Sequence, residues 1–177
     1  MKTALITGAN KGIGHEVARQ LVAKGFHVFV GARNRSAGRV PADAIAKNGG
    51  KATFLEIDVA DNASVTAAAR ASSKIADHLD VLVNNAGIVV DGDSAVLEIS
   101  DELLRKTLET NTLGALRVTR ALAPLLAKSK TPRVINVSSG GGQLTGGADG
   151  WRRVTASRRL RSTALRRNSR RHCRNLP

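Results

Sequence analysis

The chain has 177 residues, the length of a single domain, and its first 150 alone are enough to bury a core. Its net charge of +14 invites a nucleic-acid reading, but residues 1–150 carry 18 Lys and Arg against all 14 acids, while residues 151–177 add ten Arg and no acid. The one cysteine, Cys173, excludes an internal disulfide, and neither a signal-type leader nor an apolar run near the ~20 residues of a membrane helix is found, so a soluble cytoplasmic protein is expected.

The apolar run TALI (3–6) predicts a first strand stopping at Thr7-Gly8. HEVARQLVAKGF then places Val17, Leu21 and Val22 at helical spacing, with Gly25 as the stop. HVFVGA (27–32) is β-branched and aromatic and predicts a second strand; residues 42–48 predict a helix ending at Asn48-Gly49-Gly50. ATFLEIDV (52–59) predicts a third strand, and Asn62 to Ala76 an alanine-rich helix. DVLVNNAG (80–87) predicts a fourth strand, residues 100–128 one long helix with a capping start at Ser100, and RVINVSS (133–139) a fifth strand. Short apolar strands alternating with helices predict right-handed crossovers and an α/β fold, a parallel sheet covered on both faces.

Composition changes once, within Gly140–Gly150. Beyond it, Leu, Ile, Val and Phe number four in 27 residues, too few for a core at that charge. Two regions are therefore expected: a nucleotide-binding domain over 1–150 and a disordered Arg-rich tail over 151–177.

ITGANKGIG (6–14) joins the first strand to the first helix and spaces Gly8, Gly12 and Gly14 as G-x3-G-x-G. Glycines allow a tight turn and close approach to a pyrophosphate, and a helix N-terminus offers free N–H groups with the positive end of its dipole. A structural turn uses glycine too, but strand–loop–helix is the context that favours phosphate. An NAD site places an acid about 20 residues further on to accept the ribose hydroxyls. Here GARNR supplies Arg33, with no acid before Asp43. Arg33, helped by Lys11, suits a 2′-phosphate, so NADP is preferred over NAD.

Thr7-Gly8-x3-Gly12-Ile13-Gly14, Asp58-Val59, Asn84-Asn85-Ala86-Gly87, Asn111 and INVSSG (135–140) together resemble the short-chain dehydrogenase/reductase family, and Lys11 and Arg33 its NADPH-dependent carbonyl-reductase-like members. The resemblance covers residues 1 to about 150. It implies a Rossmann-type doubly wound sheet and hydride transfer between NADP(H) and a small carbonyl or alcohol substrate. It also implies roles: Gly8 to Gly14 around the pyrophosphate, with Thr7 and Asn10 among the cofactor-binding residues; Asp58 and Val59 at the adenine; Asn85, Ala86 and Gly87 along the ribose and nicotinamide. Asn84 would brace the strand end. Asn111 and Ser139, rather than Ser138, match the active-site Asn and Ser. Taken singly, Asp58 reads as a helix cap, Asn111 as an exposed polar residue and Ser139 as a turn hydroxyl.

The family's proton donor is a Tyr with a Lys four residues later. A developing alkoxide needs a positioned acid near neutral pH, and a phenol near pKa ~10 serves only beside a cation. This chain has no Tyr, and no Lys after Lys130. After Trp151 it reads RRVTASRRLRS: Arg158 and Arg159 do not deprotonate, Thr155 and Ser157 are far too weakly acidic without a base, and His172 has no fixed position. The proton-transfer step lacks an agent.

Codon degeneracy offers an explanation. If Val154 to Arg159 is encoded GTT-ACC-GCG-TCT-CGA-AGA, the shifted frame reads Tyr-Arg-Val-Ser-Lys, and codons allowed for Leu160 to Thr163 continue it as Thr-Ala-Leu-Asn. The tail is then an out-of-frame translation of a reductase gene, leaving the fifth strand an uncovered edge and the family's usual oligomer contacts without a partner helix. Three readings follow: an inactive reductase by descent, a non-catalytic NADP-binding remnant, or a protein whose tail contacts nucleic acid. Ten arginines give salt-sensitive, non-specific binding to phosphates, but only Trp151 among aromatics accompanies them.

Overall fold

The computed structural model describes residues 1–47, 49–88 and 99–138. Five strands, β1 (Thr3–Thr7), β2 (His27–Ala32), β3 (Lys51–Glu56), β4 (Val81–Asn84) and β5 (Arg133–Asn136), alternate with helices α1 (Gly12–Ala23), α2 (Arg35–Lys47), α3 (Asn62–Ser73), α4 (Asp101–Leu108) and α5 (Gly114–Ala127). The last two are joined without a break by a π-helical turn over Glu109–Leu113. All strand pairs are parallel, in the order β3-β2-β1-β4-β5. Ser139 and residues 151–177 lie outside the described residues, as do Trp151, Thr155, Ser157, Arg158, Arg159, His172 and Cys173.

Strand alternation divides the core into two layers. Leu5, Phe29, Leu55 and Leu82 pack with Val65 and Ala68 of α3 and Val118, Leu122, Leu125 and Leu126 of α5. Ala4, Ile6, Val28, Val30 and Val83 face the other way, onto Ala18 of α1 and Ala42 and Ile45 of α2. β1 and β2 are buried throughout, as strands covered on both faces must be. β5 differs: Val134 is 38% and Ile135 46% exposed, as at an outer strand with little packed on it.

Boundaries depart from the sequence expectations where side chains redirect the backbone. Helix α2 starts at Arg35, not at 42, because the Asn34 carboxamide accepts from the Ala37 N–H (3.0 Å) and the Ser36 hydroxyl (2.6 Å), and the helix runs through Pro41. α3 ends at Ser73 rather than Ala76. β4 ends at Asn84 because the next two N–H groups turn away from the ladder onto Thr7.

At the foot of the sheet the buried Asp80 carboxylate accepts from the Thr3 N–H (2.8 Å) and the Ser129 hydroxyl (2.6 Å), with His78 Nε2 at 3.2 Å. That cluster fixes the N-terminal ends of β1 and β4. Their C-terminal ends then open side by side where the strand order reverses, the crevice in which sheets of this type bind ligands.

Candidate active site

Everything at the crevice turns on Thr7. Its hydroxyl accepts from the N–H groups of Asn85 and Ala86, both at 3.0 Å. The Asn85 carboxamide reaches back, donating to the carbonyls of Thr7 (3.0 Å) and Gly8 (3.1 Å). The end of β4 is thereby stitched to the glycine loop, and two glycines make the fit possible. A Cβ on Gly8, whose φ is +65°, would stand 2.9 Å from Ala86 Cα; one on Gly14 would stand 2.6 Å from the Gly8 carbonyl and strike the Asn85 amide.

Gly12 is different. Its φ of +59° suits glycine, yet a Cβ there would meet nothing within 4 Å. The N-terminus of α1 beside it has no side-chain cap and no acid in its first turn. Glu16, the nearest acid on the helix, is engaged by Arg19 and Gln20, whose hydrogen bonds push its pKa down to about 2. A helix start without a side-chain cap, beside a glycine whose Cβ direction is open, suits a phosphate. Asn10 is half-buried, and Lys11, Gly12 and Ile13 are exposed at the same mouth, Ile13 to 67%.

Arg33 follows β2 directly, is exposed, and has no acidic partner among the described residues. Asp58 forms a local turn, its carboxylate accepting from the Ala60 N–H (2.9 Å) and its own N–H donating to Ser64 (2.9 Å). The cap of α3 is Asp61, not Asp58. Val59 is core, 4% exposed, and its side chain lies under Gly114.

Asn111 sits inside the π-turn, 5% exposed. Its Nδ2 donates to the Ile88 carbonyl (2.9 Å) and its Oδ1 accepts from the Ile88 N–H (2.8 Å), fixing the strand end that carries Ala86 and the exposed Gly87. Arg117 braces the same turn through an ion pair with Glu109 and a bond to the Glu109 carbonyl (3.2 Å). Asn84 links the next strand, donating to Asn136 (2.8 Å) and Thr119 (3.1 Å). Ile88, Glu109, Arg117 and Thr119 were not marked by motif spacing. Only the Asn84–Asn136 pairing had a signal, since both asparagines close apolar strands.

The structure thus joins Thr7, Gly8, Asn85 and Ala86 by hydrogen bonds, packs Gly14 against them, ties Asn111 to Ile88 two residues after Ala86, and leaves Lys11, Gly12, Ile13 and Arg33 exposed. Among the described residues no helix is long and apolar enough to cross a membrane.

A sequence model of the family described as short chain dehydrogenase matches residues 2–150. (+)-Neomenthol dehydrogenase of Arabidopsis thaliana is 33% identical over 168 residues, covering 84% of this chain and 57% of the relative. Ketoacyl reductase HetN of a Nostoc species is 32% identical over 138 residues, covering 78% of this chain and 47% of the relative. A crystal structure of a Phe-to-Trp variant of actinorhodin polyketide ketoreductase with NADPH superposes with a TM-score of 0.77 at 35% identity, covering 89% of this chain and 59% of that one. The chain spans about half the length of the curated relatives it matches. With the glycine loop, the Asn85–Ala86 clasp and the parallel sheet in place, the chain belongs to the short-chain dehydrogenase family.

Proposed function

We propose that this chain binds NADP(H) at the mouth of β1 and β4 but does not reduce a carbonyl, because the acid that would protonate the product oxygen is absent. The supporting observation is a contrast. The uncapped α1 N-terminus with Gly12 facing open space fits a pyrophosphate, while the 177 residues contain no Tyr. When bound, NADP(H) supplies hydride chemistry. The N–H groups of Gly12 to Gly14 would hold its phosphates, Lys11 and Arg33 a 2′-phosphate, and Asp58 with the Val59 backbone the adenine side. Asn85, Ala86 and Gly87 would border the ribose and nicotinamide. Asn111 and Ser139 are the remaining candidates beside a small carbonyl or alcohol. Neither replaces a phenol: the Asn111 carboxamide, bonded to Ile88 through both its oxygen and its nitrogen, is not an acid, and a serine hydroxyl is too weak an acid unaided.

The match to the family ends at residue 150, where the Arg-rich stretch begins, which supports an out-of-frame origin for residues 151–177. Two measurements test this reading. Fluorescence titration is expected to show NADPH binding, while carbonyl-dependent NADPH oxidation stays at background; turnover at an ordinary enzymatic rate would overturn it. The coding DNA is expected to hold Tyr-x3-Lys in a shifted frame over residues 154–159.

A further inference from the structure

The end of β2 carries a cluster of cations, and the structure treats them unequally. Arg33 has no acidic partner among the described residues, whereas Arg35, two residues on, crosses to β3: its Nε and Nη2 both donate to Glu56 Oε2 at 3.1 Å. Arg39 stands 3.8 Å from Asp43 on its own helix. The position of Glu56 is set by register, for it lies opposite Ala32, and the next N–H, that of Ile57, donates to the Ala32 carbonyl at 3.0 Å. A carboxylate is therefore fixed level with the residue before Arg33. Asn34, between the two arginines, has its side chain engaged in capping α2, so the arginines flank a stiff turn.

We propose that Glu56, by holding Arg35, sets how strongly this chain distinguishes a 2′-phosphorylated adenosine from an unphosphorylated one. This rests on the reading that Arg33 and Lys11 receive the 2′-phosphate. Glu56 acts in two ways. It cancels much of the Arg35 charge, and it adds an anion within a Debye length of the place where the phosphate's own charge would sit. Both effects weaken NADP(H) binding and leave NAD(H) nearly untouched, since an unphosphorylated ribose brings no charge to this corner. Glu56 is a positioning residue for Arg35 and makes no contact with the nucleotide itself. Arg35 and Glu56 are 73% and 51% exposed, so replacing either leaves the core intact.

The test is titration of the purified chain and its variants with NADPH and with NADH at low and high salt. Glu56→Gln is expected to lower the Kd for NADPH roughly two- to fivefold, the size of an exposed charge interaction, with NADH unchanged and the gain fading at high salt. Arg35→Gln, which leaves Glu56 unpaired, is expected to raise the NADPH Kd by a similar factor. Equal shifts for both nucleotides, or none in either variant, overturn the role of Glu56 while leaving the NADP reading standing if the unaltered chain prefers NADPH. An unaltered chain that binds NADH as tightly as NADPH overturns that reading, and this inference with it.

Discussion

Both ends of the Asn111 carboxamide engage a single residue, Ile88, one accepting its N–H at 2.8 Å and the other donating to its carbonyl at 2.9 Å. The side chain thus copies one rung of a β-ladder between a helix and a strand end. Asn111→Ala leaves two half-buried backbone groups without partners and is expected to cost about 1–3 kcal/mol in urea denaturation. Asn111→Asp keeps the acceptor, loses the donor and adds a buried charge, and is expected to cost at least as much.

The glycines are expected to separate folding from binding. Gly14→Ala forces the loop and Asn85 apart and is expected to lower stability by about 1–3 kcal/mol, with NADPH binding lost as well. Gly12→Ala meets no atom, so its stability cost is expected to be limited to about 1 kcal/mol of backbone strain. Its Cβ stands in the open space proposed for the phosphates, so nucleotide affinity should fall further than stability does. Thermal melts with and without NADPH measure both.

Arg33→Ala and Lys11→Ala are expected to weaken NADPH by roughly 10- to 100-fold for the arginine and less for the lysine, the range for charge-assisted hydrogen bonds. NADH binding should barely change. Parallel titrations with the two nucleotides give the ratio directly.

Acid is expected to loosen the fold in two stages. Burial, aided by the charge of Lys51, holds the His27 imidazole below its ordinary value of 6.5. The unfolded chain therefore takes up that proton first, and stability present above pH 6.5 declines as pH falls through the lower folded value. Burial pushes the Asp80 carboxyl up, but hydrogen bonds from Ser129 and the Thr3 N–H, with His78 beside it, outweigh that and hold it below 3.8. Its contribution is complete above about pH 4 and is lost below, as the folded carboxylate protonates. Urea midpoints across pH 3–8 should show both declines; His27→Gln should flatten the first and Asp80→Asn the second.

The alternation of strand and helix was legible because each layer of core shows up as apolar periodicity: Leu5 and Phe29 to one side, Ile6 and Val30 to the other. The glycine loop was legible because its three glycines carry positional meaning. The π-turn was not, since the partners that hold Glu109–Leu113, Ile88 and Arg117, are contacts to which residues 109–113 alone give no clue. The start of α2 was misplaced for a related reason. Residues 42–48 read as a helix on their own, and only the geometry shows Asn34 capping it further upstream. The motif that marks Val59 says nothing of its side chain, which packs under Gly114.

Thr7 and Asn85 stand 78 residues apart in sequence, yet each fixes the other's backbone. In a nascent chain the glycine loop therefore lacks these bonds until the segment after β4 has left the ribosome. A polypeptide cut before Asn85 would keep every glycine of the motif and is expected to lose the proposed dinucleotide site, whereas one that reaches Ile88 and the helix behind it has all the parts of the clasp.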